Sequence, residues 1–163
     1  MSYTFTQVDT FTIDDTFNRL YADSLDNIKA GTISSEHLSK SDAEIKELVE
    51  IRMNISTGYN VIVAKDDVAC LYIQGKYENN TYTWLHALVG KIDTSKAWAA
   101  TTTFHEANKT WIQSLGGTRW AVQCIKGSPI DTYFTSVNSS GICLGSLVTQ
   151  ELENNNKLMT WEY

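Results

Sequence analysis

The stretch Leu85–Ala100, LHALVGKIDTSKAWAA, decides how the rest of the chain is read. It opens as a strand, turns after Gly90 and passes into a helical pattern. A helix N-terminus behind a strand offers unpaired backbone N–H groups and the positive end of the helix dipole, which makes it a natural place for a phosphate. Yet the turn after Gly90 contains no glycine. Two readings stay open. One is a phosphate-holding loop with its glycines replaced. The other is a plain helix start, with Thr94 or Ser95 as cap and Ala97 and Ala99 as helix formers.

Working outward, the hydrophobic periods define the neighbours. YTFTQV, Tyr3–Val8, alternates and predicts a strand. In TIDDTFNRLYADSLDNI, residues Ile13, Phe17, Leu20, Tyr21, Leu25 and Ile28 share a helical face, Thr12 with Asp15 forms a capping-box pattern, and Gly31 stops the helix. SDAEIKELVEIRM repeats the device with Ser41 and Glu44 ahead of Ile45, Leu48, Val49 and Met53, and Thr57-Gly58 ends it. YNVIVAK, VACLYIQGKY and TYTWLHALVG, broken at Asp66-Asp67 and at Glu78-Asn79-Asn80, predict an antiparallel meander. A helix is expected over Ser95–Leu115, closed by Gly116-Gly117. RWAVQCI is a further strand. GSPIDTYFTSV is a short helix capped by Ser128, with Pro129 at its first position and Asp131 completing the box. ICLGSLVTQEL and KLMTWEY, joined at Asn154-Asn155-Asn156, predict a terminal hairpin.

Composition bounds the function. The chain has 163 residues, enough for one domain with a proper core. Its 42% hydrophobic and 20% charged residues are those of a soluble globular protein, and five Trp, eight Tyr and five Phe predict an aromatic core. The net charge of -6, with no basic block, disfavours nucleic acid as a partner. No apolar run is long enough for a bilayer and no leader opens the chain, so a cytoplasmic protein away from the membrane is expected. Cys70, Cys124 and Cys143 lack the spacing of a disulfide framework or zinc site and read as buried hydrophobes. No metal site is expected. FHEANK is not HExxH, and His105 and Glu106 read as part of a solvated helix face.

The element order is β-α-α-β-β-β-α-β-α-β-β, an α/β (α+β) arrangement around a mixed sheet. Over the whole chain this order resembles the GCN5-related N-acetyltransferase (GNAT) superfamily. The resemblance rests on TWLHALV, the turn into SKAWAATTTF, RWAVQCI and the closing hairpin. It implies parallel fourth and fifth strands that splay apart around an acyl-CoA, with acetyl-CoA as co-substrate and an amine of a small molecule or protein as acceptor. At the start of the third helix the family carries Arg or Gln, two residues, Gly, one residue, then Gly or Ala. Measured from Val89 these fall on Thr94, Ala97 and Ala99, so TSKAWA keeps the two small positions and loses the Arg/Gln and the first glycine.

The resemblance implies a pyrophosphate on the backbone of Ser95 through Ala99, with Lys96 adding charge and Trp98 turned toward the core. It implies a pantetheine arm and thioester carbonyl at the strand edge of Leu88 and Val89. Acyl transfer also needs a base for the amine and an acid for the departing thiolate. His86, read as sharing a face with Trp84 and Leu88, is the candidate base; the alternative is a histidine that hydrogen-bonds on a sheet face. The family's acid is a tyrosine in the fourth helix. That position falls near Val137 here, and Tyr133, one turn earlier, is the candidate substitute or else a packing aromatic. A non-catalytic GNAT-like domain that has lost CoA is the competing function. The terminal hairpin offers an edge for a homodimer.

Overall fold

A computed structural model describes residues 2–29 and 40–163. The elements are β1 (Tyr3–Val8), α1 (Asp15–Lys29), α2 (Asp42–Met53), β2 (Asn60–Lys65), β3 (Val68–Glu78), β4 (Thr81–Val89), a 3-10 turn (Ala97–Ala100), α3 (Thr102–Ser114), β5 (Arg119–Ile125), α4 (Pro129–Ser139), β6 (Ser146–Glu151) and β7 (Asn156–Glu162). They build the expected mixed α/β architecture. The seven strands form one sheet in the order β1-β2-β3-β4-β5-β7-β6. Only β4 and β5 run parallel; every other neighbouring pair is antiparallel. The stop expected at Gly31 lies outside the described residues. No helix among the described residues is long and apolar enough to cross a membrane.

The sheet separates two cores. On one side α1 and α2 lay Phe17, Leu20, Ile28, Ile45 and Val49 over Tyr72 and Leu88. On the other, α3 and α4 cover an aromatic cluster in which Trp84, Phe104, Trp120, Phe134 and Trp161 meet mostly edge to face. Such contacts match the positive ring edge to the negative face of its neighbour. The meander turns close as predicted: Asp66, Asp67, Asn79 and Asn80 all adopt positive φ, the conformation that two-residue hairpin turns demand and that Asn and Asp tolerate.

Four local expectations are corrected. Asp14, not Thr12, caps α1: its Oδ1 accepts from the Phe17 N–H at 3.0 Å, and Ile13 lies outside the helix, 42% exposed. The helix expected from Ser95 starts only at Thr102. Thr101 is its cap, accepting from the Phe104 N–H, while Ala97–Ala100 form a separate 3-10 turn. Ser128 caps α4 by backbone alone, and Asp131 reaches one residue further back, accepting from the Gly127 N–H at 2.8 Å. His105 is not on a solvated face. It is 1% exposed, and its Nε2–H donates to the Ala99 carbonyl at 3.0 Å.

Candidate functional site

The site grows from a mismatch in length between β4 and its parallel partner. Pairing of β4 with β5 covers only four residues, Thr81↔Arg119 to Trp84↔Val122, although both strands continue. On its other edge β4 stays paired with β3 to Val89↔Leu71, but the register slips between Gln74 and Gly75, leaving Leu85 without a partner. This bulge reverses the alternation of side chains. Trp84 faces the aromatic core, and beyond the bulge Ala87 and Val89 take that side, while Leu88 packs under α1. His86 therefore shares a face with Leu88 but not with Trp84, correcting the expected grouping.

The backbone alternates too. Gly90 N–H donates to the Cys70 carbonyl at 2.8 Å, which puts Leu88 in the set bonded to β3. Ala87 and Val89 then direct their N–H and C=O groups toward the gap left by β5. The gap-facing backbone falls on Ala87 and Val89, not on Leu88 and Val89.

A cavity of about 170 Å³ fills the splay. β4 contributes Trp84, Ala87 and Val89, and α4 contributes Pro129, Ile130, Tyr133 and Phe134. Lys96, Trp98 and Ala99 close it on one side, and Ser24, Asn27 and Ile28 of α1 on another. Beyond Tyr133 and Pro129, which line both spaces, an open groove runs along α4 past Ala100, Thr132 and Ser136. The Tyr133 hydroxyl is buried at this junction without a hydrogen-bond partner among the described residues, and so is the Trp84 indole N–H. Burial, helped by nearby Cys143, pushes the Tyr133 phenol far above its ordinary pKa, so it stays protonated at neutral pH. A smaller gap of about 10 Å³ between the same strands is lined by His86, Leu85 and Gln123, and shares Trp84, Ala87 and Ile130 with the cavity. His86 Nδ1 lies 2.7 Å from Gln74 Oε1, a contact in which the imidazole donates.

The loop before α3 is tightly self-bonded. Ser95 N–H donates to the Ile92 carbonyl, Ala97 N–H to Ser95 Oγ and Ala99 N–H to the Lys96 carbonyl. Three of the five N–H groups expected to meet a pyrophosphate are thus engaged. Thr94, Ser95 and Ala97 are exposed on the outside of the turn, whereas Lys96, Trp98 and Ala99 reach the cavity. Trp98 is buried as expected, its Nε1–H donating to the Gly90 carbonyl at 2.9 Å. Burial draws the Lys96 ammonium below its ordinary pKa, against the pull of Asp23. Among the described residues no group of three or more His, Cys, Asp or Glu is placed to hold a metal.

Of the residues singled out from sequence, Val89, Lys96, Trp98, Ala99 and Tyr133 come together around one cavity, and His86 reaches the same splay from its far side. Ser24 and Ala87 were missed. Ser24 carried a readable signal: it interrupts the apolar stripe of α1 between Leu20 and Ile28, at the spacing that faces the core.

No family model matches the sequence, and no curated protein does. Solved structures do. The PaiA N-acetyltransferase of Thermoplasma acidophilum, in complex with coenzyme A, aligns over 100% of both chains at 15% identity and a TM-score of 0.57. This is the GNAT fold. The ribosomal-protein-S18-alanine N-acetyltransferase of Escherichia coli aligns over 99% of this chain and 94% of its own at 7% identity and a TM-score of 0.52. A GNAT-family acetyltransferase described as putative, from Desulfovibrio desulfuricans, aligns over 99% and 98% at 11% identity and a TM-score of 0.53. At these identities the likeness is one of GNAT architecture, and the chemistry rests on the side chains.

Proposed function

We propose that the protein is an acyl-CoA-dependent N-acyltransferase, moving an acetyl group from acetyl-CoA to an amine of a small molecule or a protein. The observation that carries this reading is the buried Tyr133 hydroxyl, unpartnered among the described residues, at the mouth of an apolar cavity set between splayed parallel strands. A buried hydroxyl left without a partner costs free energy, and a ligand that supplies the partner explains its presence. Shape is consistent: the groove along α4 is open enough for an extended arm, and the cavity is apolar with few polar groups. The PaiA structure of the same fold was solved with coenzyme A.

The residues divide the work of acyl transfer. Backbone N–H of Ala87 faces the gap and can hold the carbonyl oxygen as charge develops on it. His86, held against Gln74, takes the proton from the attacking amine. As the new C–N bond forms and the C–S bond breaks, Tyr133 gives its proton to the departing thiolate. Lys96 adds positive charge beside Ala99. Only part of the expected phosphate grip fits, because Ser95, Ala97 and Ala99 spend their N–H groups within the loop. That observation favours a second reading, a GNAT-fold domain without CoA. Isothermal titration with acetyl-CoA separates the two. Heat and a raised unfolding temperature support the enzyme; neither, at millimolar ligand, leaves the binding-free domain.

A further inference from the structure

Where β5 turns away, Val89 loses the strand that would have paired with it, yet its backbone is not open. Ser24 of α1 accepts from the Val89 N–H at 2.8 Å, and its own hydroxyl lies 3.1 Å from the Val89 carbonyl as donor. One side chain thus supplies both bonds that a neighbouring strand would supply. The contact is held on both sides. Asp23 Oδ2 accepts from the Lys91 N–H at 2.8 Å, and Trp98 binds the Gly90 carbonyl. Gly90 permits the approach of α1, because a β-carbon there would overlap Leu20. Ser24 is 3% exposed and lines the cavity.

We infer that Ser24 is an internal competitor for the β4 edge: it occupies at Val89 the two hydrogen-bonding positions that an amide of a pantetheine arm would use, and so limits the donor's affinity and its pairing to Ala87. This rests on the acyl-CoA reading. An amide carries one N–H and one C=O, as a strand residue does, and pairs with an edge by the same geometry. To pair at Val89 it must first displace a hydroxyl that already satisfies both groups. Removing that hydroxyl leaves Val89 unsatisfied in the free protein, and the ligand then gains bonds without displacing any.

The test uses the full chain and the Ser24→Ala variant, with coenzyme A as the probe. Hydrogen exchange on the free proteins reads the contact itself: the Val89 amide is protected in the parent and loses protection in the variant, while Leu88, bonded to β3, keeps its own. Calorimetry then reads the competition. Two bonds no longer displaced predict roughly tenfold tighter binding of coenzyme A by the variant. Added coenzyme A should also restore Val89 protection in the variant. Binding of equal or lower affinity in the variant overturns the role of Ser24 and leaves the acyl-CoA reading standing. Binding to neither protein overturns both.

Discussion

Replacing Tyr133 with phenylalanine makes stability and activity move in opposite directions if the proposed role is right. The hydroxyl is buried, has no partner among the described residues, and stands where cavity and groove meet. Burying such a group unpaired costs roughly 1–3 kcal/mol. Phenylalanine keeps the ring and its edge-to-face contact with Phe134, whose centroid lies 5.1 Å away, and drops only the orphaned oxygen. Tyr133→Phe should therefore stabilise the fold by about 1–2 kcal/mol, the lower part of that range. In a chain of 163 residues this raises the unfolding midpoint by roughly 2–8 °C. Catalysis should respond the other way. Without an acid for the departing thiolate, kcat should fall about 100-fold or more, with KM for the donor little changed. Scanning calorimetry gives the first number, and a thiol-trapping assay for released CoA gives the second. A midpoint lowered by several degrees would mean that the hydroxyl holds the fold together, and an unchanged kcat would mean that it serves no leaving group. Either result refutes the reasoning.

Ala99 lines the cavity and Ala97 faces solvent, so Ala99→Phe should abolish coenzyme A binding in calorimetry while Ala97→Phe reduces it only weakly. The reverse order would restore the loop as the main phosphate grip. Burial pushes His105 down to about 4 against the small upward pull of its bond to Ala99. Between that value and its ordinary one the unfolded chain holds a proton that the folded chain refuses. His105 therefore contributes full stability above about pH 6.5 and loses about 3 kcal/mol on acidification toward pH 4, a loss that denaturant titration should find much reduced in His105→Leu. Asp131 is driven up by burial but held below its ordinary value by Gly127 N–H and Lys157, the latter at 2.6 Å. Its contribution is present above the ordinary carboxyl range and fades as pH falls through its lowered value, and Lys157→Met, which removes the counter-ion but leaves the bonds from Gly127 and Thr135, should cost about 1–3 kcal/mol in urea unfolding.

How much of this was legible depended on whether a signal was local. β1 over Tyr3–Val8 and the turns at Asp66-Asp67 and Asn79-Asn80 follow from alternation and from residues that tolerate positive φ, so short windows suffice. The start of α3 was not legible in the same way. Thr94, Ser95 and Thr101 are all acceptable caps, and the choice of Thr101 reflects the burial of Trp98 against Tyr3 and Phe104 together with its bond to Gly90. His105 looked like a surface residue because its partner is a backbone carbonyl, which leaves no trace in sequence.

The bulge at Leu85 had the largest consequence for the site. A strand read as continuous alternation from Tyr82 puts Trp84, His86 and Leu88 on one face. A single unpaired residue moves everything beyond it to the opposite face. Leu88, with no polar side-chain atom, then goes under α1 among Phe17 and Leu20, and the smaller Ala87 and Val89 turn to the cavity. That exchange leaves room in the splay, since alanine there occupies little of the gap. It also aims the Ala87 and Val89 backbones across the gap, where the reacting carbonyl and the donor's amides are proposed to lie, and it brings Val89 within reach of Ser24. The slip lies between Gln74 and Gly75, where the tyrosine ring of Tyr82 lies so close over Gly75 that a β-carbon would collide with it. A glycine in β3, covered by the ring of a tyrosine from β4, therefore marks the point where the strand changes phase at Leu85, two residues short of the first backbone group that faces the cavity.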